Sequence, residues 1–189
     1  MLGAGAQAET QIRYLLAVRP SIRRVAIWNR TAKKARALAA ALSVPGIEIG
    51  AVEDAQAAVR TADIVSCVTA SRDPVLRGAW LQPGAHVDLV GSFTPEMREA
   101  DDEAMRRARL FVDTRRFAVG HCGEFTQAIA AGTIAPADVI AELAELCDGA
   151  PGRRSADEVT LFKNAGGGHL DLMVARAFYD LASIDLMQG

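Results

Sequence analysis

The chain has 189 residues, enough for one domain with a substantial core. Hydrophobic residues make up 50% and charged residues 23%, which excludes a disordered or fibrous chain. Lys and Arg number 21 against 23 Asp and Glu, a net charge of -2, and the basic residues do not pool in one stretch, so a general nucleic-acid surface is not expected.

No apolar run approaches the ~18 residues needed to span a bilayer. The opening Met1-Leu2-Gly3-Ala4-Gly5 does not read as a targeting segment, so no membrane partner is expected and the cytoplasm is the expected compartment. The three cysteines, Cys67, Cys122 and Cys147, are odd in number and widely spaced. That spacing suits neither a disulfide framework nor a zinc site, and they read as buried or inert thiols.

After Gly5, Ala8, Ile12, Leu15 and Leu16 fall at helical spacing and Pro20 lies just beyond the end. Val25 to Trp28 is a short apolar run of the kind buried in parallel sheets, and an Ala-rich helix through Leu42 follows with Thr31 as its N-cap. This β-α unit repeats. Ile47 to Ile49 with a short helix to Arg60, Ile64 to Val68, His86 to Val90 and Leu110 to Asp113 are successive strand candidates. Beyond Asp113, Glu124 to Ala131 and Asp138 to Cys147 read as helices, and Gly149-Ala150-Pro151-Gly152 as a turn. Val159 to Lys163 reads as a strand running into Gly166-Gly167-Gly168, and then into a terminal helix striped by Leu172, Ala175, Tyr179, Ala182 and Leu186. The alternation predicts an α/β fold with a doubly wound, mainly parallel sheet and helices at the C-terminus.

Gly3-Ala4-Gly5-Ala6-Gln7-Ala8 is a G-x-G-x-x-A run opening a helix. In a Rossmann domain the first Gly permits the tight turn, the second lets a pyrophosphate approach the backbone, and the small third residue lets helix and strand pack closely. The ribose-reading position lies about 20 residues beyond the motif. Asn29-Arg30-Thr31 stands there instead of Asp or Glu. An acid would repel a 2′-phosphate, whereas Arg30 binds one with charge-assisted hydrogen bonds and Thr31 adds a hydroxyl, so NADP(H) is expected over NAD(H).

These motifs, with Ala62-Asp63-Ile64-Val65, Leu81 to Val87, Arg98 to Asp102, Arg153-Arg154-Ser155 and Leu161 to Gly166, are in order and spacing similar to the landmarks of the ornithine cyclodeaminase/mu-crystallin family. The resemblance runs from Gly3 to about Tyr179. It implies a homodimer whose subunits join a Rossmann domain to a substrate domain, and hydride transfer between a nicotinamide and a nitrogen-bearing carbon of an amino or imino acid. It also implies that Thr69, Ala70 and Ser71, Val90, Gly91 and Ser92, and the turn from Asn164 to Gly166 border the nicotinamide. With Gly3, Gly5, Ala6, Gln7, Asn29, Arg30 and Thr31 these complete the expected cofactor site.

Cyclodeaminases of the family carry an Asp after the fifth strand, where this chain has Phe93 in Gly91-Ser92-Phe93-Thr94-Pro95. Phe cannot pair with an ammonium, so the resemblance favours a reductase of a cyclic imino acid such as Δ1-pyrroline-2-carboxylate. Ornithine cyclodeaminase, alanine dehydrogenase, a crystallin-like NADP(H)-binding protein and an inactive remnant are the alternatives. Glu99, Asp101, Asp102 and Glu103 read as the N-terminus of a helix, where carboxylates complement the dipole. The adjacent His121 and Cys122 do not read as a catalytic pair, and no metal is expected.

Only Met1 and Leu2 precede Gly3, whereas a Rossmann motif follows a central strand of about five or six residues. The expectation is a sheet with its first strand truncated, residues 1–148 forming the Rossmann domain and 149–189 returning toward an absent substrate domain. The catalytic residues are then unknown, since the family's substrate-holding Arg and Lys would lie upstream.

Overall fold

The computed structural model describes residues 1–187, with side chains through residue 182. Helix α1 (Ala8–Val18) leads to β1 (Arg24–Ile27), α2 (Ala32–Ala41), β2 (Glu48–Ala51), α3 (Ala55–Arg60) and β3 (Ile64–Cys67). Next come β4 (His86–Leu89), α4 (Asp102–Arg107), β5 (Arg109–Val112), α5 (Arg115–His121) and α6 (Gly123–Ala130). β6 (Val139–Glu142), α7 (Leu143–Cys147), β7 (Thr160–Lys163) and α8 (Gly168–Met187) complete the chain. This is a Rossmann-type α/β fold in which every strand pairing is parallel.

Five strands form one sheet in the order β3-β4-β7-β5-β6, and β1 pairs with β2 separately. β7 comes from far along the chain yet lies between β4 and β5, with Val87 opposite Leu161 and Leu110 opposite the same residue. Between β1 and β3, Leu2 bridges Trp28 on one side and Cys67 on the other, both parallel. The larger core gathers around the five-stranded sheet, including Val65, Val87, Leu89, Leu110, Phe125 and Leu161, and a smaller one joins Ile12, Ile27, Ala35 and Leu42.

Helix starts follow local chemistry. Asp54 caps α3 by accepting from Ala57 N, and Asp101 caps α4 by accepting from Ala104 N. The first-turn acids of α4 are Asp102 and Glu103. Thr31 occupies the cap position of α2 with extended backbone, but its side chain makes no capping bond.

The stretch from Asp138 to Cys147 is not one helix. A single 3-10 turn at Pro136–Asp138 gives way to β6, and only Leu143–Cys147 is helical. Val139 and Ala141 are buried while Ile140 is exposed, so alternation against β5 overrides helical propensity. On the α8 stripe, Leu172, Ala175, Tyr179 and Ala182 are exposed, while the side chain of Leu186 lies outside the described residues. Cys67 and Cys122 are buried, but Cys147 is exposed.

Candidate functional site

A cleft of about 230 Å³ opens where the Gly3 loop meets the carboxyl ends of β1 and β3. Gly3, Gly5, Asn29, Arg30, Thr31, Thr69, Ala70 and Ser71 all line it, joined by Lys34. Carboxyl ends of parallel strands and helix N-termini meet at such sites in open α/β folds. Gly3 has φ +114, and a Cβ there would come within 2.9 Å of Val68 O, so only Gly fits. A Cβ on Gly5 would meet nothing within 4 Å, which leaves this stretch of backbone open to a ligand. Ala8 is fully buried, as the close packing of helix on sheet requires.

Asn29 is committed to the architecture of the cleft. Its Oδ1 accepts from Ala4 N at 3.1 Å and its Nδ2 donates to Thr31 O at 3.1 Å, tying the Gly loop to the turn after β1. Arg30 is exposed at the rim. Ala6 and Gln7 stand at the start of α1 outside the lining of the cleft.

The remaining residues expected at the site lie on the same carboxyl edge but beyond the cleft lining. Val90 N donates to Cys67 O at 2.9 Å and Asn164 N to Leu89 O at 2.9 Å, which places the first loop beside the end of β3 and the second beside the end of β4. Gly91 packs so close to the β3 loop that a Cβ would sit 2.0 Å from Thr69 O. Asn164 Oδ1 accepts from Gly166 N at 3.0 Å, and Gly166 has φ +79.

A buried polar network under these loops was not legible as a site. Glu99 does not belong to the helix N-terminus. Its Oε1 accepts from Thr69 N (2.5 Å) and Thr69 Oγ1 (2.9 Å), and its Oε2 from Gly91 N (2.7 Å) and Ser92 N (3.3 Å). Burial pushes the Glu99 carboxyl up, against the Thr69 N–H and the Lys163 charge that pull it down. Ser92 Oγ donates to Glu124 Oε2, while Glu124 Oε1 accepts from Glu99 N at 2.8 Å. Lys163 Nζ donates to Ser92 Oγ at 3.0 Å and lies 3.9 Å from Glu124 Oε2, both side chains being fully buried. Asp113 Oδ2 accepts from Ala165 N (2.9 Å) and Gly166 N (2.8 Å), fixing the third loop. One signal was available for Lys163: a charge closing an otherwise apolar strand.

Other candidates have structural roles. Burial pushes the Cys122 thiol up to about 11, which leaves it an unreactive thiol beside the exposed His121. His86 Nδ1 lies 2.8 Å from Thr160 Oγ1, and burial with the Arg153 charge lowers its pKa to about 4. Phe93 is exposed. Among the described residues no group of three His, Cys, Asp or Glu converges as a metal cluster, and no helix is long and apolar enough to cross a membrane.

A profile of the Ornithine cyclodeaminase/mu-crystallin family matches residues 1–185. The chain belongs to this family. It is 48% identical to a Δ1-pyrroline-2-carboxylate reductase of Paracoccus denitrificans over 93% of this chain and 56% of that protein. The Thermococcus litoralis Δ1-pyrroline-2-carboxylate reductase, solved in complex with NADH and L-proline, superposes with a TM-score of 0.84 at 35% identity, covering 87% of this chain and 51% of that one. An archaeal alanine dehydrogenase dimer with bound NAD gives a TM-score of 0.88 at 31% identity over 97% of this chain and 57% of that one. This member of the family thus spans little more than half the length of the relatives it matches.

Proposed function

We propose that this chain is the dinucleotide-binding part of an NADP(H)-dependent reductase of a cyclic imino acid of the Δ1-pyrroline-2-carboxylate type. One observation carries the reading: the Gly3 loop, the Arg30 turn and the Thr69 loop converge on a single cleft at the start of α1. The residues present fit a dinucleotide. Ala8 N donates to Gly5 O at 3.1 Å, and the positive end of the α1 dipole favours a pyrophosphate lying over Gly5, where the backbone is open. Arg30 and Lys34 form a cationic rim suited to a 2′-phosphate, to which Thr31 adds a hydroxyl. Thr69 to Ser71, Val90 to Gly91 and Asn164 to Gly166 border the nicotinamide end.

When bound, the dinucleotide supplies the hydride for reduction of the C=N bond. The chain's own residues bind and orient it, and the substrate-holding Arg and Lys implied by the family are assigned to no residue here. In the full-length enzyme, residues 149–189 return to the substrate domain, and the exposed apolar side chains of α8 face that domain or the second subunit of a homodimer. Relatives solved with NADH and NAD support a nicotinamide dinucleotide in general; the preference for NADP(H) rests on Arg30 and Thr31.

Thermal shifts of the chain with NADPH and NADH test the cofactor reading. NADPH raises the melting temperature more than NADH, and Arg30→Glu erases that preference. Gly5→Ala leaves the unliganded melting temperature unchanged but reduces both shifts, because the new methyl group occupies the space over which the pyrophosphate lies. Equal shifts with both dinucleotides overturn the NADP(H) preference, and no shift with either overturns the site. Consumption of NADPH with Δ1-pyrroline-2-carboxylate by the complete enzyme, but not of ornithine with NAD, tests the reaction.

A further inference from the structure

Two buried carboxylates bond directly to the backbone of the loops after β3, β4 and β7. Glu99 Oε1 takes the N–H and the hydroxyl of Thr69, and its Oε2 takes the N–H groups of Gly91 and Ser92, so one side chain grips the first two loops at once. Its main chain holds the first of them as well. Arg98 N donates to Ser71 O at 2.8 Å, and Val75 N and Leu76 N both donate to Glu99 O at 2.9 Å. There is no slack between the two loops, because a Cβ on Gly91 would come within 2.0 Å of Thr69 O. Asp113 Oδ2 takes the N–H groups of Ala165 and Gly166 in the third loop.

The charges in this layer do not cancel. Lys163 Nζ donates to Ser92 Oγ, which donates in turn to Glu124 Oε2, and the Lys163 charge also reaches Glu99. Arg98 turns its guanidinium to Asp102 and to the carbonyl of Ala100. Among the described residues, three buried carboxylates, Glu99, Glu124 and Asp113, thus stand with the one buried ammonium of Lys163. Four donors facing one carboxyl call for a group that only accepts, which is the ionised form of Glu99.

A fixed charge in a dry interior acts more strongly than one in water, and a negative one favours a cation nearby over a neutral group of the same shape. Reduction of a C=N bond makes such a cation. Hydride passes from the reduced nicotinamide to the carbon of a protonated imine, the C=N π pair becomes the lone pair of the amine, and the ring is left positively charged.

Given the dinucleotide reading of the cleft, on which this rests, we propose that Glu99 is a positioning residue for the cofactor: it fixes the Thr69 and Gly91 loops at the nicotinamide end and sets beneath them a negative charge that holds the oxidised ring more tightly than the reduced one. Asp113, under the third loop, acts in the same sense. A cofactor whose oxidised form is bound more tightly is a stronger hydride donor, so the device serves reduction of the imine.

Calorimetry of the chain of residues 1–189 with NADP⁺ and with NADPH gives two dissociation constants, and their ratio is the readout; NAD⁺ and NADH replace them where they bind more tightly. Glu99→Gln weakens the oxidised form relative to the reduced one by about three- to tenfold, the scale of one unit charge acting through partly screened protein. Asp113→Asn moves the ratio the same way and carries the test alone if Glu99→Gln does not fold. Thr69→Val, which deletes one donor to Glu99 but no charge, weakens both forms alike and leaves the ratio unchanged. A wild-type ratio in the charge variants overturns the proposal even where both affinities fall, since a mere staple of the loops gives that result. No binding of either form, with or without the 2′-phosphate, by the unaltered chain overturns the dinucleotide reading and the proposal with it.

Discussion

Glu99→Gln separates a carboxylate that organises the loops from one that merely sits beside a helix. Its two oxygens accept four hydrogen bonds, two from Thr69 and one each from Gly91 and Ser92, and the side chain is fully buried. All four partners are donors, so the site has no use for an acid proton, although burial pushes the carboxyl up. Glutamine keeps the size but replaces one oxygen with an NH2 group. Turned toward Gly91 and Ser92, the NH2 faces two backbone donors; turned toward Thr69, it faces one, because the hydroxyl can rotate to accept. One or two hydrogen bonds to a charged group, at about 1.5–3 kcal/mol each, are lost, and removing a buried charge offsets part of this. A net loss of about 1–4 kcal/mol follows, a large share of the ~5–15 kcal/mol typical of a domain. With a slope of ~2 kcal/mol/M, urea unfolding at pH 7 moves its midpoint down by about 0.5–2 M. A midpoint within about 0.3 M of the wild type refutes the reasoning, because it means the carboxyl is protonated or its bonds are of no consequence.

Two further variants test the buried charges. Lys163→Met leaves Glu124 in the core without its cation, 3.9 Å away in the intact chain, and destabilises by about 3–5 kcal/mol; adding Glu124→Gln recovers part of that loss, whereas strictly additive urea midpoints contradict the coupling. His86 titrates at about 4 instead of 6.5, so between those values the unfolded chain holds a proton that the folded chain refuses, and the stability contributed by neutral His86 is lost as pH falls through that window. Asp88 and Glu99 are shifted up by burial and contribute with the opposite sign, so the measurement is the difference between wild type and His86→Gln, which declines by about 3 kcal/mol from pH 7 to 4 and stays flat if the ring is solvated.

Strand order could not be read from the chain, but most of the strands could. Ile64 to Val68 announces itself as a nearly apolar run because both faces of a parallel sheet are covered, and His86 to Val90 by the alternation of Val87 and Leu89 with His86 and Asp88. β6 did not, since Val139 to Glu142 alternates weakly and becomes a strand only by pairing with β5. The glycine loop was legible for a related reason: Gly3, Gly5 and Ala8 act through local backbone geometry and close packing. Glu99 was misread because it stands two residues before the Asp101 cap, and an acidic run there looks like dipole complementation.

What assembles the loops proposed for the nicotinamide end is of another kind. Residues 69, 91 and 164 are remote in sequence, and strand ends alone bring them near one another without fixing their loops. Glu99 fastens the first two through backbone N–H groups, and Asp113 fastens the third. Ser92, Glu124 and Lys163 then lock Glu99 from below, through its own N–H and through charge. Each of these side chains is buried and charged or polar, so each is strongly destabilising alone and tolerable only as a satisfied set. That interdependence makes the site both specific and invisible to a reading that proceeds residue by residue. It also predicts that Glu99→Gln and Lys163→Met combine non-additively, whereas His86→Gln, which belongs to a separate contact with Thr160, adds to either within about 0.5 kcal/mol.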